Sequence, residues 1–376
     1  MNKEKINILF VLPTFDTGGS EKLVFDIIKN IDKSMFNPIL CVFFSGKYED
    51  SYLKLGHPFY VINKDKIISK ISVVKFLNQI IRQHKIQVVN SHHTLPLIQG
   101  LLSFKLFNKV RWIHTEHTRL DLDPHVTPKI LIIVKFCLRF VDYALGISQG
   151  VCDYFEKEMG LPRRKIVKIL NGVDVEIFRR AKSKELRIKM RAELGIAQDE
   201  IVIGLFANFR KQKNHECLIK AAQLLKDKLN HFRVVFAGNG PALKESKELV
   251  NILGLNDKFI FLEPRLDIPQ LMNMIDIYCL PSHFEGLPFS LLEAMAAEKI
   301  VVASDVIGNN EIAINLQNAI LVKPNSPDDL RDKIVLLIND RGLGERLTAN
   351  AAKNVEAFSF NLMIKKYEDL FSERGV

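Results

Sequence analysis

Twice along this chain, short β-branched runs alternate with longer amphipathic stretches, and that pattern excludes most folds. In the first half the runs are Ile6–Leu12, Ile39–Phe44, Tyr60–Ile62, Gln87–Asn90 and Val110–His114. Between them, Glu21–Ile31 carries Leu23, Val24, Ile27 and Ile28 at helical spacing, and Val73–Gln83 reads as a second helix. Ile166–Ile169 is a further strand, followed by an Asn171–Gly172 turn and a charged stretch, Arg179–Glu193, that reads as a join. The alternation then restarts at Ile201–Phe206, Phe232–Ala237, Phe259–Leu262, Ile277–Leu280, Ile300–Ala303 and Ala319–Val322, and three helical segments close the chain. Such alternation predicts an α/β protein of two Rossmann-like domains with mainly parallel sheets. Ligands of such sheets collect at the carboxyl ends of the strands and in the crevice between domains.

Composition narrows the class. A chain of 376 residues with 47% apolar and 26% charged residues suits a globular protein of two or three domains. No apolar run approaches a membrane span, and the opening MNKEKINILFVLP enters a strand pattern at once, leaving no room for a signal peptide. The five cysteines (Cys41, Cys137, Cys152, Cys217 and Cys279) show neither C-x-x-C nor metal-ligand spacing, as expected of reduced thiols in a cytoplasmic protein. Residues 1–180 hold 27 Lys and Arg against 17 Asp and Glu, whereas the remainder balances at 26 of each. The excess points to an anionic partner for the first half, or to a solvated basic face.

The densest chemistry lies in Leu280–Asp305, LPSHFEGLPFSLLEAMAAEKIVVASD, which reads as strand end, loop, helix and strand. Pro288 suits the first helical turn. Glu285 stands in the loop; Glu293 stands in the helix among Leu291, Leu292, Ala294 and Met295. A half-buried carboxylate needs partners, and either two ribose hydroxyls or a protein donor satisfies it. The helix start offers free N–H groups to a phosphate.

Other candidates lie at strand ends. TFDTGGSE, Thr14–Glu21, places Gly18 and Gly19 before a helix, either for close ligand approach or for turn geometry alone; it is not G-x-G-x-x-G, so a nicotinamide cofactor is not expected. His92, His93, His114 and His117 follow two successive strands without zinc spacing, and His117 is best placed to meet a substrate. Asp121-Leu122-Asp123 reads as a solvated loop rather than a metal site. NFRKQKN, Asn208–Asn214, gathers Arg210, Lys211 and Lys213 beside a helix start, where the dipole disfavours cations; either an anion bound by both explains them, or they form an exposed basic loop. Gly238-Asn239-Gly240-Pro241 repeats the strand–Gly-turn–helix form.

Taken in order, GGSE, TEH, NGVD at Asn171–Asp174, KQKN, AGNGP and LPSHFEGLP…LLEAMA resemble the retaining GT-B-fold glycosyltransferases of family 4 (glycosyl transferases group 1) over nearly the whole chain. The resemblance implies an acceptor domain at 1–178, a linker at 179–200, a nucleotide-sugar domain at 201–358, and a helix at 359–376 crossing back to the first domain. It implies that the two domains face each other across a deep cleft. It gives catalytic roles to His117, Arg210, Lys213 and Glu285: Lys213 and an arginine neutralise the leaving diphosphate, Glu285 holds the transferred sugar, and His117 contacts it. Donor contacts are implied for Gly18, Gly19, Asn208, Gly238, Arg265, Gly286, Leu287, Pro288 and Phe289, with Glu293 on the ribose. No metal and no other cofactor is implied, and no nucleic acid. The family's G-R-L arginine is Asn208 here, with Arg210 as its replacement, E-G-F-G is E-G-L-P, the glycine after A-M-A is Glu298, and G-L-L-V is Ala319–Val322.

The expected activity is metal-independent transfer from a nucleotide-sugar, UDP-linked by family preference, to a glycan or lipid-linked acceptor in cell-surface polysaccharide, lipopolysaccharide or glycolipid synthesis. The basic first half is expected at the inner membrane surface, where Lys129–Val141 either touches lipid or forms a core helix. A nucleotide-sugar epimerase and a non-catalytic nucleotide-sugar-binding subunit are the competing readings. Lys213, Glu285 and His117 together weigh against the second, since a binding module needs fewer of them.

Overall fold

A computed structural model describes residues 4–16, 18–62, 69–122 and 126–372, and the chain divides into two compact units. The first comprises residues 1–171 together with 363–376; the second spans Gly172–Leu362.

Among the described residues the first unit holds seven parallel strands: β1 Ile6–Thr14, β2 Phe36–Phe44, β3 Phe59–Val61, β4 Val88–His92, β5 Arg111–Glu116, β6 Tyr143–Gly146 and β7 Ile166–Lys168. Their order is β3-β2-β1-β4-β5-β6-β7, so the strand order reverses between β1 and β4. Helices cover both faces, which is why Ile8 to Leu12 are fully buried and read as one continuous apolar run. Helix Lys70–Gln83 shows how the sequence builds such a cover. Ser69 caps it by accepting the Ser72 N–H, and Val73, Leu77, Ile80 and Ile81 form its buried stripe. The strand β6 has no counterpart in the sequence reading. Helix Phe360–Phe371 packs on this unit: Phe371 meets Phe10 edge-on at 5.7 Å between ring centroids, and Arg111 donates to the Phe371 carbonyl.

The second unit holds, among the described residues, six parallel strands: β8 Ile201–Phe206, β9 Phe232–Ala237, β10 Phe259–Leu262, β11 Ile277–Leu280, β12 Ile300–Ser304 and β13 Ile320–Val322. The order β10-β9-β8-β11-β12-β13 reverses between β8 and β11. The charged stretch expected as a linker is instead part of this unit. It forms helices Val175–Ala181 and Lys184–Glu193, and Arg191 is fully buried. Arg191 and Arg187 both bond Asp276, at 2.8 and 2.7 Å, and Arg191 also donates to the carbonyls of Met274, Gln198 and Glu200. Its charge is therefore paired inside the fold rather than solvated. The five cysteines are buried free thiols, and no helix among the described residues is long and apolar enough to cross a membrane.

Candidate active site

In each unit the candidate residues stand at the carboxyl ends of strands, close to the point where the strand order reverses and where open α/β sheets take their ligands. In the second unit, Lys213 follows β8 and Glu285 follows β11, which are adjacent strands. A 3-10 turn at Lys211–Lys213 and a left-handed Asn214 bring the lysine back over the sheet. Lys213 Nζ then donates to both Glu285 oxygens, at 2.7 and 2.9 Å. The carboxylate is nearly buried, and its Oε1 also accepts from Ser282 Oγ at 2.6 Å. Gln212 ties the two loops together, donating its side-chain amide to the Phe284 carbonyl and accepting the His283 N–H, both at 2.8 Å. Ser304, held by Asn309, donates to the Ser282 carbonyl and so fixes the loop from beneath.

Close backbone approach explains two of the glycine positions. A Cβ on Gly238 would lie 2.2 Å from the Ala207 carbonyl oxygen, since the loops after β8 and β9 are joined by the Phe209 N–H to Asn239 carbonyl bond. One on Gly308 would lie 2.5 Å from the Glu285 carbonyl oxygen. Pro288 is the N-cap of helix Phe289–Ala296 rather than a residue of its first turn. Gly286 and Leu287 lie buried beside it, and Glu293 is 8% exposed on that helix. Tyr278 on β11 bonds Ser290, and burial, with both carboxylates nearby, pushes its phenol well up. Arg210 is exposed, with no side-chain partner among the described residues. Asn208 is half-buried in the same loop. Arg265, after β10, is already paired with Asp267 through two bonds of 2.7 and 2.6 Å.

In the first unit, Gly18 caps helix Gly19–Asn30, and Glu21 turns back over it. The Glu21 carboxylate accepts from Thr14 Oγ1 at 2.8 Å and Ser20 Oγ at 2.6 Å, and a Cβ on Gly18 would lie 2.3 Å from it. The glycine therefore makes room for a carboxylate of the chain itself. At the ends of β4 and β5, four histidines meet. His117 is 7% exposed; it stacks on His93, with centroids 4.6 Å apart, and meets His92 edge to edge, with centroids 5.2 Å apart. Its Nε2 lies 2.9 Å from His92 Nδ1, and His92 Nε2 lies 3.0 Å from Asn90 Oδ1. Burial, reinforced by the neighbouring histidines, holds His92 and His117 well below the ordinary imidazole range, so both are neutral. Glu116 accepts the His117 backbone N–H and lies 3.7 Å from His93 Nδ1. His93 adopts φ 65° and ψ 169°, a strained conformation for any side chain. His114 Nδ1 lies 3.1 Å from Ser91 Oγ, which accepts the Trp112 Nε1–H. Of the Asp121–Asp123 pair, Asp121 is bonded by Arg119, and Asp123 lies outside the described residues.

Residues 17–177 match the sequence profile "Glycosyltransferase Family 4" and residues 187–354 the profile "Glycosyl transferases group 1". The chain is 26% identical, over 88% of each chain, to UDP-Gal:alpha-D-GlcNAc-diphosphoundecaprenol alpha-1,3-galactosyltransferase of Escherichia coli. It is 30% identical to N,N'-diacetylbacillosaminyl-diphospho-undecaprenol alpha-1,3-N-acetylgalactosaminyltransferase of Campylobacter jejuni, over 64% of this chain and 62% of that one. Its fold is that of Anabaena HepE crystallised with UDP-glucose: TM-score 0.88, 22% identity, 98% of this chain and 100% of that one. With both halves of the sequence matched and both sheets of the GT-B fold present, the chain belongs to the family 4, group 1 glycosyltransferases.

Proposed function

We propose that this glycosyltransferase moves a hexosyl or N-acetylhexosaminyl group from a UDP-sugar to a glycan or lipid-linked acceptor, with retention and without a metal ion. The observation that carries the reading is the Lys213–Glu285 pair at the reversal point of the second sheet. A diphosphate leaving group develops charge as its bond to the sugar breaks, and a preorganised cation stabilises it. Lys213 has three N–H donors, two of them on Glu285, so its ammonium is oriented and retains one for a phosphate oxygen. Exposed Arg210 supplies the second cation in place of the family arginine. In a front-face transfer the acceptor oxygen bonds the anomeric carbon on the side the phosphate oxygen leaves, and that phosphate oxygen takes the acceptor proton. Glu285 then holds a sugar hydroxyl and need not act as a nucleophile. The UDP preference draws on the E. coli relative's name and on the HepE complex.

A lipid-linked acceptor places the enzyme at a membrane, and the first unit offers a surface for it. Helix Pro128–Leu138 buries Val134, Cys137 and Leu138 but exposes Ile132, Ile133 and Phe136, with exposed Phe140 following. Lys129, Lys135 and Arg139 flank these apolar side chains, a pattern suited to an anionic lipid surface.

The test is a panel of nucleotide-sugars with EDTA present, read by thermal shift and nucleotide release. A ligand that binds the folded protein alone raises its melting temperature, so one assay names base and sugar together. One UDP-sugar is expected to shift the protein and to be cleaved slowly despite EDTA. Glu293→Ala should weaken UDP binding about tenfold, the effect of losing a charge-assisted hydrogen bond. If no nucleotide-sugar shifts the protein or is cleaved, the donor assignment is wrong. Release of a free epimerised sugar would instead mark an epimerase.

A further inference from the structure

Asn90 and His92 are buried side chains two residues apart on β4, hence on the same face of the strand, and they continue as a chain of hydrogen bonds to His117. Proton positions along that chain follow from its fixed end. The Ile113 carbonyl can only accept, and Asn90 Nδ2 faces it at 3.4 Å while also reaching Thr115 Oγ1 at 2.9 Å. The amide is therefore oriented with Oδ1 toward His92. His92 must carry its proton on Nε2 to donate to that oxygen, leaving Nδ1 as a lone pair. His117 must then carry its proton on Nε2 to donate to His92 Nδ1. The remaining atom, His117 Nδ1, is a lone pair with no hydrogen-bond partner among the described residues.

We propose that Asn90 and His92 are positioning residues that lock His117 in its Nε2–H tautomer, making Nδ1 a hydrogen-bond acceptor dedicated to a sugar hydroxyl. The assignment of a sugar to this site rests on the function proposed above; the tautomer does not. The arrangement also sets what His117 does not do. A proton taken at Nδ1 could pass along both rings only to the Asn90 amide oxygen, a very weak base, so the chain orients and does not relay. A neutral acceptor gives no attraction to a phosphate oxygen, which has no proton to donate. His117 thus selects the sugar rather than the diphosphate. The stacking of His93 and the Glu116 bond to the His117 N–H hold ring and backbone in place for that single contact.

The decisive measurement is nitrogen NMR on the full chain with ¹⁵N-labelled histidine at pH 7, with the His117 signals identified by their loss in His117→Gln. The expected spectrum has Nε2 in the protonated, pyrrole-type range and Nδ1 in the unprotonated, pyridine-type range. An Nδ1–H tautomer, or an imidazolium, overturns the proposal. Asn90→Ala should move the His117 signals toward a tautomer mixture and weaken UDP-sugar binding about fivefold, with UDP unaffected. Asn90→Asp keeps an acceptor for His92 Nε2–H and should restore the tautomer. An unchanged tautomer in Asn90→Ala also overturns the proposal, and the wild-type spectrum decides the question even if that variant fails to fold. Were the tautomer as stated while no nucleotide-sugar bound, the proposed function would fail and the positioning chain would stand.

Discussion

The two strand-end clusters solve the same problem with opposite electrostatics. In the second unit a cation and a carboxylate face each other, each held by two bonds or more. In the first unit the ligand-facing candidate is an uncharged ring stacked on one histidine and hydrogen-bonded to another, with the nearest carboxylate bonded to its backbone. Charge suits a site that must answer developing charge. A neutral acceptor suits a site that must recognise hydroxyls without capturing phosphate. On the function proposed above, two clusters of similar placement on similar sheets would divide the work between a charged and a neutral group.

Removing the cation is the strongest way to break this comparison. Lys213→Ala is expected to lower turnover by about 10²–10³-fold, the effect of losing one preorganised donor to a transition-state charge, with a much smaller change in UDP affinity. Single-turnover kinetics beside UDP titration separates the two. If affinity falls as much as turnover, the lysine serves ground-state binding and the division of labour is wrong.

Acid should break the other cluster. His92 and His117 are neutral in the folded protein, whereas in the unfolded chain each protonates around its ordinary 6.5. Below that pH the unfolded state binds more protons, so stability falls as pH falls. Between pH 6.5 and 5.5 each ring should remove about 1 kcal/mol, together about 2 kcal/mol. The chain's single tryptophan, Trp112, is buried on β5 of the first unit, so its fluorescence in urea titrations reports this loss. A slope unchanged in His117→Gln would mean that His117 is not the buried neutral group described.

How much of this was legible beforehand differs between the clusters in the same way. Lys213 and Glu285 stood out because opposite charges beside predicted strand ends need a reason to be there. The residues that aim them (Gln212, Ser282, Ser304, Asn309) are ordinary polar residues whose contacts arise only when two distant loops meet. His92 and His93 were visible but carried no metal spacing, and their meaning comes from stacking across β4 and β5. Asn90 and His92 sharing one strand face was a signal available in the sequence, since side chains alternate along a strand. The strand β6 escaped because Tyr143–Gly146 is short and ends in glycine. The join at Arg179–Glu193 was misjudged because charge reads as solvent exposure, whereas Arg191 is buried on Asp276.

Lys299 sharpens the contrast from within the second unit, for it is a lysine without the carboxylate contact that Lys213 has. Burial, with Arg187 nearby, lowers it to about 8, and its ammonium reaches the Asn273 carbonyl at 3.3 Å. Its folded value is depressed, so the penalty is fully present below about pH 8 and vanishes as pH rises toward the ordinary 10.5. Lys299→Met should therefore stabilise the protein at pH 7 by about 2 kcal/mol, with the gain shrinking at alkaline pH. A loss of stability at pH 7 would show that the Asn273 contact outweighs burial.

The smallest effect tests whether the helix carrying Glu293 ends under strain. Family members place glycine where this chain has Glu298, and the structure gives Glu298 a φ of 55° just past helix Phe289–Ala296. A side chain in the left-handed region costs about 1 kcal/mol, which glycine avoids at a helix C-terminus. Glu298 pairs with Lys182, but both are partly exposed, and such surface pairs contribute little. Glu298→Gly is thus expected to gain about 0.5–1 kcal/mol in denaturant titration with UDP affinity unchanged. A net loss would make the Lys182 pair, which joins the stretch once read as a linker to the end of the site helix, the reason this chain keeps a glutamate there.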